Sequence, residues 1–285
     1  MKNTDFWVKI MPVEQKGDVR MLDFSFKDCY DICDLIRIME LLRAPGGCPW
    51  DAEQTHESIK KNLIEETYEV IEAINKKDNE LLCEELGDLL MQVVFHAQME
   101  QEEGNFDFDA VADGVCKKLI IRHPHVFGKV DVSGVDDVLA NWDAIKKETK
   151  GQKTTTESML SVPRELPALM RATKLQKKAA DVGFDWNDVS GALDKLEEEI
   201  AELRQAISNG DNDNIREELG DILFSAVNVS RFVKTDAEEA LTQASDKFLA
   251  RFTKVEQLAS ERSIEMKDST LEQLDALWDE AKASE

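Results

Sequence analysis

Leu63, Ile64, Thr67, Val70, Ile71 and Ile74 follow one another at steps of mostly three and four residues, the repeat of one apolar stripe on an α-helix. The polar run NKKDN (75–79) breaks the stripe, and Leu82, Leu86, Leu89, Val93 and Ala97 trace a second one on a returning helix. Together they predict an antiparallel helical hairpin with a buried apolar face. The pattern then returns in LEEEIAELRQAISNGDNDNIREELGDILFSAVN (196–228), interrupted at SNGDND (208–213). A helical segment ending at a tryptophan turn precedes each hairpin: IRIMELLRAPGGCPWD in the first copy, MRATKLQKKAADVGFDW in the second. A Lys-xxx-Arg pair follows each, Lys118/Arg122 and Lys247/Arg251, and each copy closes on Trp-Asp, at Trp142 and Trp278. An internal repeat of this kind decides the organisation. The reading is all-α: two tandem helical domains of about five helices each, without sheet, whose hairpins complete four-helix bundles by pairing. Residues 1–24 are an extension, 25–150 the first domain, 151–165 (GQKTTTESMLSVPRE) a patternless polar linker and 166–285 the second domain.

The polar positions of the hairpins carry the chemistry. Glu65, Glu66, Glu69, Glu85 and Asp88 have no basic residue interleaved among their motif positions, and adding 133 to each number gives Glu198, Glu199, Glu202, Glu218 and Asp221. In an antiparallel hairpin, residues at one level have numbers with a constant sum. Glu69 pairs with Glu85 and Glu66 with Asp88 by that rule, as Glu202 does with Glu218 and Glu199 with Asp221. Four carboxylates therefore face one another in two layers, one helical turn apart. Such convergence is repulsive unless cations neutralise it, and an oxygen-only ligand set suits Mg²⁺ or Mn²⁺. A di-iron bundle would need Glu-x-x-His on two helices. Only Glu53–His56 has that spacing, and all four His (56, 96, 123, 125) lie in the first copy. His96 reads as a core-edge residue and RHPH (122–125) as a helix end.

Composition narrows the partners. The formal charge of the 285-residue chain is −24, which disfavours nucleic acid and anionic membranes. No apolar run is long enough for a membrane span, and the first twenty residues lack the apolar centre of a secretion signal. Five cysteines without CxxC spacing suggest reduced thiols in the cytoplasm.

EExxE, a spacer and ExxD, with GCPWD, RHPHVF, LPALMRA and VGFDW around them, resemble the MazG family of all-α nucleoside triphosphate pyrophosphohydrolases from about Asp28 to Glu280. The resemblance implies Mg²⁺-dependent conversion of a nucleoside triphosphate to monophosphate and pyrophosphate, without a covalent intermediate. It also implies that Glu199, Glu202, Glu218 and Asp221 hold metal, that Glu198 orients or deprotonates the attacking water, and that the protein is a homodimer. Glu66, Glu69, Glu85 and Asp88 form the corresponding secondary set.

The basic residues differ between the copies. Lys195 lies one turn before Glu199 where the first copy has Asn62, and Arg216 precedes Glu218 where the first copy has Cys83. Lys247 and Arg251 either grip a triphosphate tail or make surface ion pairs, and Trp278 either stacks on a base or closes the core. With Glu217 these are the candidate substrate contacts, and they favour the second copy as the main site. The competing functional class is a non-catalytic acidic scaffold that binds only metal or a partner.

Overall fold

The computed structural model describes residues 24–149 and 151–284, apart from the side chains of Asp143 and Lys147. The expected extension at 1–24 lies outside the described residues, except for Phe24. The chain divides into two compact units, Met1–Trp142 and Asp143–Glu285. Helices α1 (Ile32–Arg43), α2 (Pro49–Glu53), α3 (His56–Lys76), α4 (Asn79–Glu102), α5 (Phe108–Arg122), α6 (Pro124–Phe127) and α7 (Val135–Thr149) come first in chain order. They are followed by α8 (Thr155–Leu160), α9 (Ala168–Ala180), α10 (Val189–Asn209), α11 (Asn212–Phe232), α12 (Ala237–Glu261) and α13 (Leu271–Ala283). No strand occurs among the described residues. Setting aside the short α2, α6 and α8, five long helices stand in each half, in corresponding order.

Local chemistry explains why the two hairpins match residue for residue. Thr55 caps α3 through the Ser58 amide, in a capping box, and Asp188, 133 positions later, caps α10 through the Ser190 amide. At the other end Lys77 (φ 55°) and Gly210 (φ 69°) both turn left-handed to stop the helix. Glycine adopts that conformation without a Cβ penalty, and the first copy tolerates lysine in it. Asp78 and Asp211 then cap the returning helices, Asp78 through the Glu80 and Leu81 amides and Asp211 through that of Asn214.

The first unit centres on Met39, Ile59, Val94, Phe95 and Met99, with Leu35, Ile36, Met91 and Phe108 packed around them. Arg43 locks the tryptophan turn onto this core. Its guanidinium donates to both carboxylate oxygens of Glu102 (2.9 and 2.8 Å) and to the Asp51 and Gln54 carbonyls, 5.3 Å from the Phe95 ring centre. In the second unit Arg231 does the same service for the VGFDW turn, donating to both oxygens of Asp185 (2.7 and 2.5 Å). There Val255, Leu258, Ala259, Leu277 and Ala281 form a cluster between α12 and α13. Gln176 Nε2 ties α9 to α11 through the Phe224 carbonyl (2.8 Å). His96 lies at the core edge, stacked on His56, and RHPH ends α5 and begins α6. All five cysteines are free thiols. No described helix is long and apolar enough to cross a membrane.

Residues 151–165 are not patternless: Thr154 forms a capping box with Glu157, α8 follows, and Ser158 and Val162 are buried where α8 packs on α9. The cap, the burial of Val162 and the Lys178–Ser158 hydrogen bond accompany order in a segment whose composition looks like linker. Within the single chain the apolar stripe of α3 is only partly covered, as expected of a hairpin that completes its bundle by pairing. Ile64, Ile71 and Ile74 stay half exposed, because the returning helix covers only one side of each apolar face.

Candidate metal centre

In the second hairpin one oxygen each from Glu199, Glu202 and Glu218 lies within 4.8 Å of the others, a spacing that a single cation can bridge. Glu199 is almost fully buried (5% exposed), Glu218 is half-buried and Glu202 opens to solvent. Lys195 Nζ, one turn earlier on the same face, donates to Glu199 Oε1 and to Glu198 Oε1, both at 2.8 Å. That ammonium holds the Glu199 carboxyl below the ordinary glutamate range despite burial. The neighbours move the other way. Glu202 is pushed up, first by its hydrogen bond to Glu199 and then by burial. Burial, followed by the charge of Glu202, raises Glu218. Two carboxyls shifted up beside a third shifted down are the electrostatic signature of a site short of positive charge.

The first hairpin assembles a related but different triple. Oxygens of Glu66, Glu85 and Asp88 lie within 4.8 Å of one another, and all three residues are half-buried. Burial and then Asp88 raise Glu66, while burial and then Glu69 raise Glu85. The members shared by both triples are Glu66 and Glu199, and Glu85 and Glu218. The third comes from the outgoing helix in the second copy (Glu202) and from the returning helix in the first (Asp88). With Asn62 in place of a lysine, Glu66 has no cation beside it, and its carboxyl is shifted opposite to that of Glu199.

Three of the four expected acids thus converge in each copy. Asp221 stands exposed outside the second triple, although its charge is felt at Glu218, and Glu69 stands outside the first. Of the other sequence-derived candidates, Glu198 is held by Lys195 through one oxygen only, which leaves Oε2 open. Arg216 is almost fully exposed, 4.0 Å from Asp213, and Glu217 is exposed beside it. Lys247 is exposed on α12. The Arg251 guanidinium lies 5.8 Å from the Trp278 ring centre, and the first copy repeats this pairing with Arg122 and Trp142 at 5.1 Å. Trp278 packs at the edge of the α12–α13 cluster and 5.3 Å from Phe248. The sequence marks Lys195 as a candidate substrate contact; its pairing with Glu198 and Glu199 is an addition from the structure, for which the spacing of three and four was the available signal.

The family model for the MazG nucleotide pyrophosphohydrolase domain matches twice, at residues 54–127 and 188–256, which bracket the two acidic hairpins. Over 256 residues the chain is 46% identical to a nucleoside triphosphate pyrophosphohydrolase of Escherichia coli (strain K12), covering 88% of this chain and 97% of that one. It is 45% identical over 252 residues to the nucleoside triphosphate pyrophosphohydrolase/pyrophosphatase MazG of Thermotoga maritima, covering 88% and 96%. A nucleoside triphosphate pyrophosphohydrolase of Mycobacterium tuberculosis matches over 155 residues at 38% identity, 54% of this chain.

Proposed function

Because the chain belongs to the MazG nucleotide pyrophosphohydrolase family, we infer that it hydrolyses nucleoside triphosphates to the monophosphate and pyrophosphate. The observation that carries the reading is the carboxylate triple of Glu199, Glu202 and Glu218, with Lys195 alongside it in the second copy only.

The donor set fits a hard divalent cation, since it offers only oxygens and two of its carboxyls are held above their ordinary range. Glu199, Glu202 and Glu218 would hold Mg²⁺, with Mn²⁺ as a substitute, and Asp221 would complete the set from the adjacent turn. When bound, such an ion neutralises the phosphate oxygens and lowers the pKa of a coordinated water. The protein's own part is positional. Lys195 fixes Glu198 through Oε1, and Oε2 is left to accept the proton of the attacking water. That water breaks the α–β anhydride bond: its hydroxyl ends on one fragment, and the bridging oxygen leaves with the other. Lys247 and Arg251, one turn apart on α12, would meet the phosphate tail, with Arg216 and Glu217 at the rim and Trp278 steadying Arg251. The first copy keeps Glu66, Glu69, Glu85 and Asp88 as a second metal set without the lysine. The two copies correspond to residues 25–150 and 166–285, joined through 151–165.

The protein acts as a cytoplasmic homodimer, without nucleic acid or membrane partners. Ile74 and Ile207, Leu86 and Leu219, and Leu90 and Leu223 occupy equivalent positions in the two hairpins. All six are exposed, between 39% and 58%. Open faces that match position for position favour closure into four-helix bundles with a second chain. The enzymatic reading is tested by incubating the protein with triphosphates and Mg²⁺ and identifying the products. Monophosphate and pyrophosphate in equal amounts are expected. Orthophosphate and diphosphate, or no turnover with any triphosphate, would overturn it.

A further inference from the structure

Some lysines of this acidic chain meet a carboxylate. Lys76 pairs with Glu72, Lys117 with Asp113, and Lys195 with Glu198 and Glu199. Acidic side chains outnumber lysines and arginines 59 to 35 over the whole chain. Three lysines of the second unit without such a partner are set apart by where they converge. Lys146 near the end of α7, and Lys174 and Lys177 on α9, border one cavity of about 370 Å³. Among the described residues, no carboxylate oxygen lies within 4.0 Å of their ammonium groups.

Lys178 lines the same cavity, where its Nζ donates to Oγ of the buried Ser158. Lys174, Lys177 and Lys178 are three and four residues apart, so they share one face of α9, and Lys146 approaches from a different helix. Gln152 and Ser161 contribute neutral polar groups, and Asp181 is the single carboxylate among the described lining residues. Ammonium groups converging on one concavity without acids to match repel one another, which an anion relieves.

The cavity is large enough for a small ligand. No aromatic ring occurs among its described lining residues, so nothing is there to stack a base. Cations supplied by two helices suit an anion with more than one charged centre. We propose that this cleft, bounded by α7, α8 and α9, binds a diphosphate group, either free pyrophosphate or the phosphate tail of a nucleotide, at a site separate from the acidic hairpins. It also gives the ordered 151–165 segment a role, since Gln152, Ser158 and Ser161 form part of the cleft lining.

The test is isothermal titration calorimetry of the full chain with inorganic pyrophosphate in EDTA at low salt. Without divalent cations the acidic hairpins repel the anion, so the measurement does not depend on whether the chain hydrolyses triphosphates. Saturable binding to one site is expected, weakened at least tenfold by K174Q/K177Q and unchanged by K267Q, a substitution at an exposed lysine elsewhere. Circular dichroism verifies that the helices persist in each variant. ADP titrated in parallel separates the sources: affinity equal to pyrophosphate assigns the cleft to nucleotide tails, and a clear preference for pyrophosphate assigns it to the free diphosphate. Absence of saturable binding in the parent protein, or equal binding by the parent and K174Q/K177Q, would overturn the proposal.

Discussion

Replacing Ile207 and Leu223 with aspartate should split the protein into single chains. The two side chains are 58% and 51% exposed, so about half the apolar surface of each remains to be buried on association. Full burial of an Ile or Leu side chain contributes about 1.5–3 kcal/mol, which leaves roughly 1 kcal/mol for each half-buried one. A symmetric dimer loses four such side chains, hence about 4 kcal/mol, and at about 1.4 kcal/mol per tenfold the dimer dissociation constant rises about 1,000-fold. Desolvation of the introduced carboxylates adds to that figure, so it is a lower bound. Light scattering during size exclusion at micromolar concentration reads the result directly. The parent should run at twice the 32.3 kDa chain mass and the I207D/L223D variant at the chain mass. A parent already at the chain mass, or a variant still at twice that mass, would refute the pairing of these faces.

Two further outcomes follow from the electrostatics. Asp185→Asn should cost about 2 kcal/mol of stability at pH 7, because the Arg231 guanidinium loses a charged partner held at 2.7 and 2.5 Å. Arg231 depresses the folded Asp185 pKa, so its contribution is complete above the ordinary aspartate value of about 3.9 and is lost as pH falls through the lower folded value. Urea unfolding at pH 7 and near pH 2 checks this, and an equal gap between parent and variant at both pH values would contradict it. Lys195→Gln should turn Glu199 from a depressed to an elevated carboxyl, matching Glu66 beside Asn62. Carboxyl-carbon NMR titration of the metal-free protein would show it, and a Glu199 titration left below the ordinary range would count against Lys195 as the cause.

Much of the architecture was legible because it rests on local chemistry. Apolar spacing of three and four marked both hairpins, and the polar breaks at 75–79 and 208–213 marked their turns; the caps at Thr55, Asp78, Asp188 and Asp211, at the same constant offset, are findings of the structure. The constant-sum rule brought Glu199, Glu202 and Glu218 together correctly, since it depends only on helix pairing. It could not exclude Asp221 or Glu69 from the triples, because side-chain direction within a layer depends on packing that spacing does not encode. Periodicity likewise identified an apolar stripe through Ile64, Ile71 and Ile74, which the single chain leaves half exposed. The order in 151–165 was missed because a capping box and one buried Val162 leave no periodic trace. Arg43 and Arg231 were invisible as anchors of the tryptophan turns, since Glu102 and Asp185 lie 59 and 46 residues away along the chain.

The central claim is that the carboxylate triple of the second hairpin carries out the hydrolysis. Its most direct test is the rate of pyrophosphate release at saturating Mg²⁺ by Glu202→Ala beside that by Glu69→Ala, with circular dichroism showing intact helices in both. Glu202 supplies one of three converging oxygens beside Lys195, whereas Glu69 stands outside its triple in a copy without that lysine. A loss of about 100-fold or more is expected for Glu202→Ala. A loss of less than about threefold is expected for Glu69→Ala, in the range of a change outside the reacting groups. Equal losses, or a loss confined to Glu69→Ala, would contradict the claim.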